Sequence, residues 1–140
     1  MPRMQPFETP VAMDRTFDAL YGLEIQEYDQ ERVVARVAVR DEVKQPMGLI
    51  HGGVYASMAE AMTSMATAAA VFEDGKAAMG LANSTSFLRP ITSGEYVHAV
   101  ATRRHKGRTT WVWDVDITDD AGKLCATTRM TIAVRDMPKG

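Results

Sequence analysis

In His51-Gly52-Gly53 followed by VYASMAEAMTSMATAAAVF (Val54–Phe72), the longer segment holds one charged residue, Glu60. Met58, Met62, Met65, Ala69 and Phe72 recur at three- and four-residue steps, which builds one apolar helical face. At 100° per residue, Glu60, Ser64 and Thr67 fall together on another side as a short polar stripe. A carboxylate in so apolar a helix is costly unless it is paired, hydrated or used. The two glycines let a ligand approach the free N–H groups of the first turn closely. Each part has an ordinary reading: a lone helical glutamate usually faces solvent, a histidine can simply cap a helix, and glycine pairs are common. The combination points to a site with amide donors at one end and a carboxylate further on.

Outward from this helix, residues 1–12 contain three prolines and read as an irregular arm, and Met13–Leu20 can form a short helix. Leu23–Asp29 and Arg32–Arg40 read as strands, the second alternating Val33, Ala35, Val37 and Val39 against Val34, Arg36, Ala38 and Arg40. Glu73-Asp74-Gly75-Lys76 closes the helix in a turn. Four further strands are predicted over Ala77–Leu88, Tyr96–His105, Thr109–Thr118 and Lys123–Val134; their short connections favour a meander of antiparallel neighbours. Strands cover a helix so widely apolar only if the sheet curls round it. The predicted class is α+β, a long central helix wrapped by a curved antiparallel sheet. The expected organisation is an arm and short helix at 1–20, one domain at 21–136 and a tail at 137–140.

A chain of 140 residues suits one domain with a real core. A net charge of −2 argues against non-specific nucleic-acid binding. No segment reads as a membrane span, because Glu60 and the polar stripe favour a buried soluble helix for Val54–Phe72. The single cysteine, Cys125, cannot form an intramolecular disulfide, so a cytoplasmic location is expected. It sits in an alternating run without a partner base and reads as core, not as nucleophile. Trp111 and Trp113 share a strand face and read as packing. His98 and His105 lack a convincing ligand set, so no metal is expected, and no phosphate-loop or dinucleotide fingerprint occurs.

Gln45-Pro46-Met47-Gly48-Leu49-Ile50-His51-Gly52-Gly53, with Glu60 nine positions after His51, heads a longer ordered set of motifs. Asn83-Ser84-Thr85-Ser86-Phe87-Leu88-Arg89-Pro90, Thr109-Thr110-Trp111-Val112-Trp113-Asp114-Val115 and Asp119-Asp120-Ala121-Gly122-Lys123-Leu124-Cys125-Ala126 follow. Together they resemble the hotdog-fold acyl-CoA thioesterase superfamily. The likeness is to the glutamate-dependent branch that holds one type of 4-hydroxybenzoyl-CoA thioesterase and the phenylacetate-pathway thioesterases. The resemblance runs from about residue 20 to 135. It implies hydrolysis of an aromatic acyl-CoA, 4-hydroxybenzoyl or phenylacetyl in type, by a homodimer paired into a tetramer. No cofactor is implied, coenzyme A being part of the substrate.

A thioester needs its carbonyl oxygen polarised and its carbon attacked, tasks suited to helix N-terminal amides and to a carboxylate respectively. The resemblance implies that the Gly52 N–H polarises the carbonyl and that Glu60 is nucleophile or general base. It also implies that His51 and Gln45 position the thioester and Ser64 orients Glu60 or the water. It selects Arg89, Thr109 and Arg135 for the coenzyme A phosphates. Arg108 stands where a small hydroxyl residue is expected and can join them. The basic run Arg103–Arg108 as a whole reads as solvated hairpin charge. Independently of the family, Gly52 and Glu60 are about 12 Å apart along one helix, whereas reacting groups must converge to about 3–3.5 Å. A composite site between two subunits removes that difficulty. Glu60 is expected to be buried there. Other acyl thioesters, including carrier-bound ones, and non-catalytic acyl-CoA binding are the alternative readings.

Overall fold

The computed structural model describes residues 9–138. Of the expected arm, residues 1–8 lie outside the described residues, as do 139–140 of the tail. A 3-10 turn at Met13–Arg15 leads into the short helix α1 (Phe17–Tyr21), capped at its start by Thr16 and ended by Gly22 at φ 85°. Strands β1 (Leu23–Tyr28) and β2 (Arg32–Ala38) precede the long helix α2 (Gly52–Val71). Strands β3 (Lys76–Phe87), β4 (Tyr96–Lys106), β5 (Thr110–Thr118) and β6 (Leu124–Asp136) complete the chain.

The six strands form one antiparallel sheet in the order β1-β2-β4-β5-β6-β3, and α2 touches every strand. This is the hotdog fold, the helix lying in the sheet's concave face. Strand alternation supplies that face: Val33, Ala35 and Val37 on β2 and Val97, Ala99 and Ala101 on β4 are all buried. Met58 and Met62 enter the core from the helix, and Trp111 and Trp113 lie against them in the buried cluster as packing residues. The Trp113 indole N–H donates to the Thr67 hydroxyl at 3.0 Å. Thr67 is fully buried, so it does not extend the polar stripe of Glu60 and Ser64; the sheet has closed over the helix by that turn.

The predicted meander fails at one connection. β3 does not pair with β4; it pairs with β6, at the far edge of the sheet, while β4 pairs with β2 and β5. The loop between β3 and β4 carries the chain across instead, held where the Leu88 and Arg89 amides donate to Cys125 O and where Ile91 O accepts from the Ile50 amide. Among the described residues β3 therefore has one free edge. Met79, Leu81 and Phe87 on it are more than half exposed, and a bulge interrupts its register between Gly80 and Ala82.

Candidate active site

α2 begins because His51 is extended and caps it: its Nδ1 accepts the Gly53 amide hydrogen at 2.8 Å. A β-carbon on Gly53 would lie 2.9 Å from that nitrogen, so glycine lets the ring fold back. Val54 N–H donates to His51 O. The first turn thus offers one amide rather than several, since the Gly52 N–H meets no acceptor among the described residues. The Phe87 ring fills the place of a Gly52 side chain, its Cε1 lying 2.7 Å from where a β-carbon would be.

The loop before the helix turns at Gly48, whose φ of 91° suits glycine. Gln45 anchors this turn by accepting the Met47 and Gly48 amides, the first with its side chain. Gln45 and Gly52 share a cavity of about 430 Å³ with Leu49, Tyr55, Phe87 and Arg89. His51 faces a different hollow, of about 310 Å³, between α1 and α2.

Glu60 and Ser64 line a third, of about 260 Å³, together with Phe17, Asp18, Ser57, Ala61 and Met65. Glu60 is exposed in the single chain, where β3 is the last strand on that side among the described residues; the burial expected of it belongs to a site between two subunits. Ser64 is half-buried and makes no hydrogen bond to Glu60. Gly52 and Glu60 therefore share a helix but open into separate cavities.

Asp18 is a member of this site that motif reading missed. Its Oδ1 accepts the Tyr21 hydroxyl at 2.7 Å, and its other oxygen meets no donor among the described residues. Burial pushes the Asp18 carboxyl above the ordinary carboxylate range, opposed by the Tyr21 hydrogen bond. Burial, reinforced by Asp18, likewise pushes the Tyr21 phenol up. The only sequence signal was the i, i+3 spacing of Asp18 and Tyr21 in the short helix.

The expected phosphate ligands fall into two groups. Arg135 Nη1 donates to Thr109 O at 2.5 Å, so Arg108, Thr109 and Arg135 gather at the end of β3 where Ala77 pairs with Arg135. Arg89 follows the opposite end of that strand, roughly 30 Å away at about 3.3 Å per residue. Neither Arg89 nor Arg108 forms an ion pair among the described residues. The other cations of the hairpin are engaged locally: Arg103 with Glu31, Arg104 with Asp114, and Lys106 with Gln30. Cys125 is fully buried, and burial pushes its thiol up, which suits its reading as core.

Comparison with known proteins matches residues 47–126, from the turn before α2 into β6, to the thioesterase superfamily. The chain belongs to the thioesterase superfamily. A thioesterase from Pseudomonas aeruginosa, solved as a mutant, superposes with a TM-score of 0.83 at 35% identity, covering 89% of this chain and 88% of that one. A thioesterase from Haemophilus influenzae superposes at 0.82 with 34% identity, covering 89% and 86%. A 1,4-dihydroxy-2-naphthoyl-CoA hydrolase of Listeria monocytogenes is 35% identical over 118 residues, 84% of this chain and 94% of its own length. As a superfamily member with such relatives, the chain is a thioester hydrolase.

Proposed function

We propose that this thioesterase hydrolyses an aromatic acyl-CoA, 4-hydroxybenzoyl-CoA before phenylacetyl-CoA, at a site shared by two copies of the chain. The observation that carries the reading is the pair of groups on α2: a free Gly52 N–H at its positive end and the Glu60 carboxylate two turns on, facing another cavity. The Gly52 N–H takes the developing charge on the thioester oxygen. Glu60 either draws a proton from a water that adds to the carbonyl carbon, or adds there itself and is then released by water. The carbon–sulfur bond breaks in either route, leaving the free acid and coenzyme A as the thiol. His51 and Gln45 position the thioester, and Ser64 orients Glu60 or the water.

The free apolar edge of β3 is the surface through which we bring in the second copy. Two-fold pairing of β3 with itself runs the strands antiparallel. Arg89 of one copy then approaches the end where Arg108, Thr109 and Arg135 of the other gather, and one coenzyme A can meet all four. Pairing of two such dimers makes the proposed tetramer. Among the described residues no helix is long and apolar enough to cross a membrane, and a cytoplasmic site of action is part of the proposal.

Two features favour an aryl acyl group. Phe17 and Met65 give the Glu60 cavity apolar walls, and Asp18 places a carboxylate oxygen without a donor among them. A ring hydroxyl would supply that donor. The Listeria relative acts, by its name, on a hydroxylated aromatic acyl-CoA. Free-thiol release from 4-hydroxybenzoyl-, phenylacetyl-, benzoyl- and hexanoyl-CoA, with wild type beside Glu60→Ala, tests the proposal. Aryl turnover lost in the mutant supports it. Preference for hexanoyl-CoA overturns the substrate, and an active Glu60→Ala overturns the mechanism.

A further inference from the structure

β3 meets α2 at three successive helical turns. Phe87 lies on Gly52, the Asn83 Nδ2–H donates to Ala56 O at 2.9 Å, and Gly80 passes Glu60. The middle contact is the only hydrogen bond linking β3 to α2 among the described residues. Ala56 O is also the helical acceptor for the Glu60 amide, four residues on. The bond therefore falls on the carbonyl from which the Glu60 turn hangs.

Asn83 is itself held from behind. Its Oδ1 accepts the Thr85 hydroxyl hydrogen at 2.7 Å, and the Thr85 oxygen lies 2.8 Å from the hydroxyl of Thr128. With Thr85 donating to Asn83, Thr128 must donate to Thr85. Thr128 is 3% exposed and pairs with Thr85 in the β3–β6 ladder. A one-way chain of donors thus runs from the buried sheet, through the edge strand, to the helix one turn before Glu60. Chains of this kind polarise one another and resist distortion.

We infer that Asn83 is a positioning residue, through which β3 fixes the Glu60 turn of α2 relative to the sheet edge. The inference rests on the reading of Glu60 as the reacting carboxylate. Where the edge strand is also the seam between two copies, β3 is the common reference for one copy's Glu60 and the other's Gly52. A slide of the helix along the strand would separate the two groups while leaving the thioester's binding contacts largely intact. Displacements near 1 Å can cost about 10²-fold in rate.

The test is steady-state kinetics on the fastest thioester of the panel, for Asn83→Ala, Asn83→Asp, Thr85→Val and Thr85→Ser beside wild type and Glu60→Ala. Asn83→Ala should lower kcat about ten-fold with KM within about two-fold, the signature of an interaction that matters in the transition state. Asn83→Asp, which sets an acceptor against Ala56 O, should lose more. Thr85→Val breaks the chain without touching the helix and should lower kcat in the same sense, and Thr85→Ser should restore it. A purely structural role would change the melting temperature and leave kcat per folded enzyme unchanged. If Glu60→Ala is inactive and both Asn83 and Thr85 variants keep wild-type kcat, this inference alone is overturned. If Glu60→Ala is active, the reading beneath it falls as well.

Discussion

Gly80 runs so close beneath Glu60 that a β-carbon on it would sit 3.9 Å from the carboxylate oxygen Oε1. That is ordinary contact distance, so one added methyl fits and a branched side chain presses on the carboxylate. Gly80→Ala should fold and keep kcat within about three-fold, whereas Gly80→Val should lose about ten-fold or more through displaced packing beside the reacting group. Thiol-release kinetics on both variants, with circular dichroism to verify folding, would decide. Equal activity in the two would show that the strand does not crowd Glu60.

Thr67 is the acceptor for the buried Trp113 indole, and its own hydroxyl donates to Thr63 O. Thr67→Val keeps the shape and strands the indole N–H. The expected cost is about 1–3 kcal/mol, the penalty for an unsatisfied buried donor. Chemical denaturation would measure it, and an unchanged midpoint would mean that the indole finds another partner.

Acid should destabilise the fold. Asp29 is held below the ordinary carboxylate range by the Glu31 and Arg32 amides, Asp114 by Arg129, Asp120 by the Glu95 amide and His98, and Asp136 by Lys76. A depressed folded-state value contributes stability above the unfolded value, and that stability is lost as pH falls through the folded one. Asp18, raised by burial, works in the opposite sense: its contribution is present at low pH and is lost as pH rises through its folded value. Four against one, the melting temperature should drop between about pH 5 and pH 3. Asp120→Asn should flatten that drop, and an identical slope would remove Asp120 from the account.

Leu81 stands in the bulge of the free edge, 58% exposed. A lysine there blunts an edge strand against pairing. Leu81→Lys should move the protein toward monomer in sedimentation velocity and abolish turnover together. A fully active monomer would refute a site shared between subunits.

The local periodicities were readable because their causes are local. The predicted helix Val54–Phe72 differs from Gly52–Val71 only at its ends, and Val33, Ala35 and Val37 face inward as their alternation requires. The place of β3 was not readable, because pairing with β6 depends on contacts some fifty residues apart along the chain. Short connections misled there: the turn after β3 crosses the sheet end rather than making a hairpin.

The site was legible in its chemistry and less so in its geometry. His51, Gly52 and Glu60 announced themselves by spacing, but only the fold shows that the histidine consumes one of the two glycine amides. Asp18 and Asn83 carried no chemical signature of their own. Their interest comes from what they touch, a cavity and a helical carbonyl brought to them by distant segments.

The division of Gly52 and Glu60 between separate cavities has a genetic corollary. A pair of subunits assembled as proposed holds two centres, each drawing one essential group from either chain. Mix a variant crippled only at Glu60 with one crippled only at Gly52, and every mixed pair contains one intact centre and one doubly broken one. Random exchange would revive roughly a quarter of all centres from two inactive stocks. Two alleles that each fail alone would complement one another.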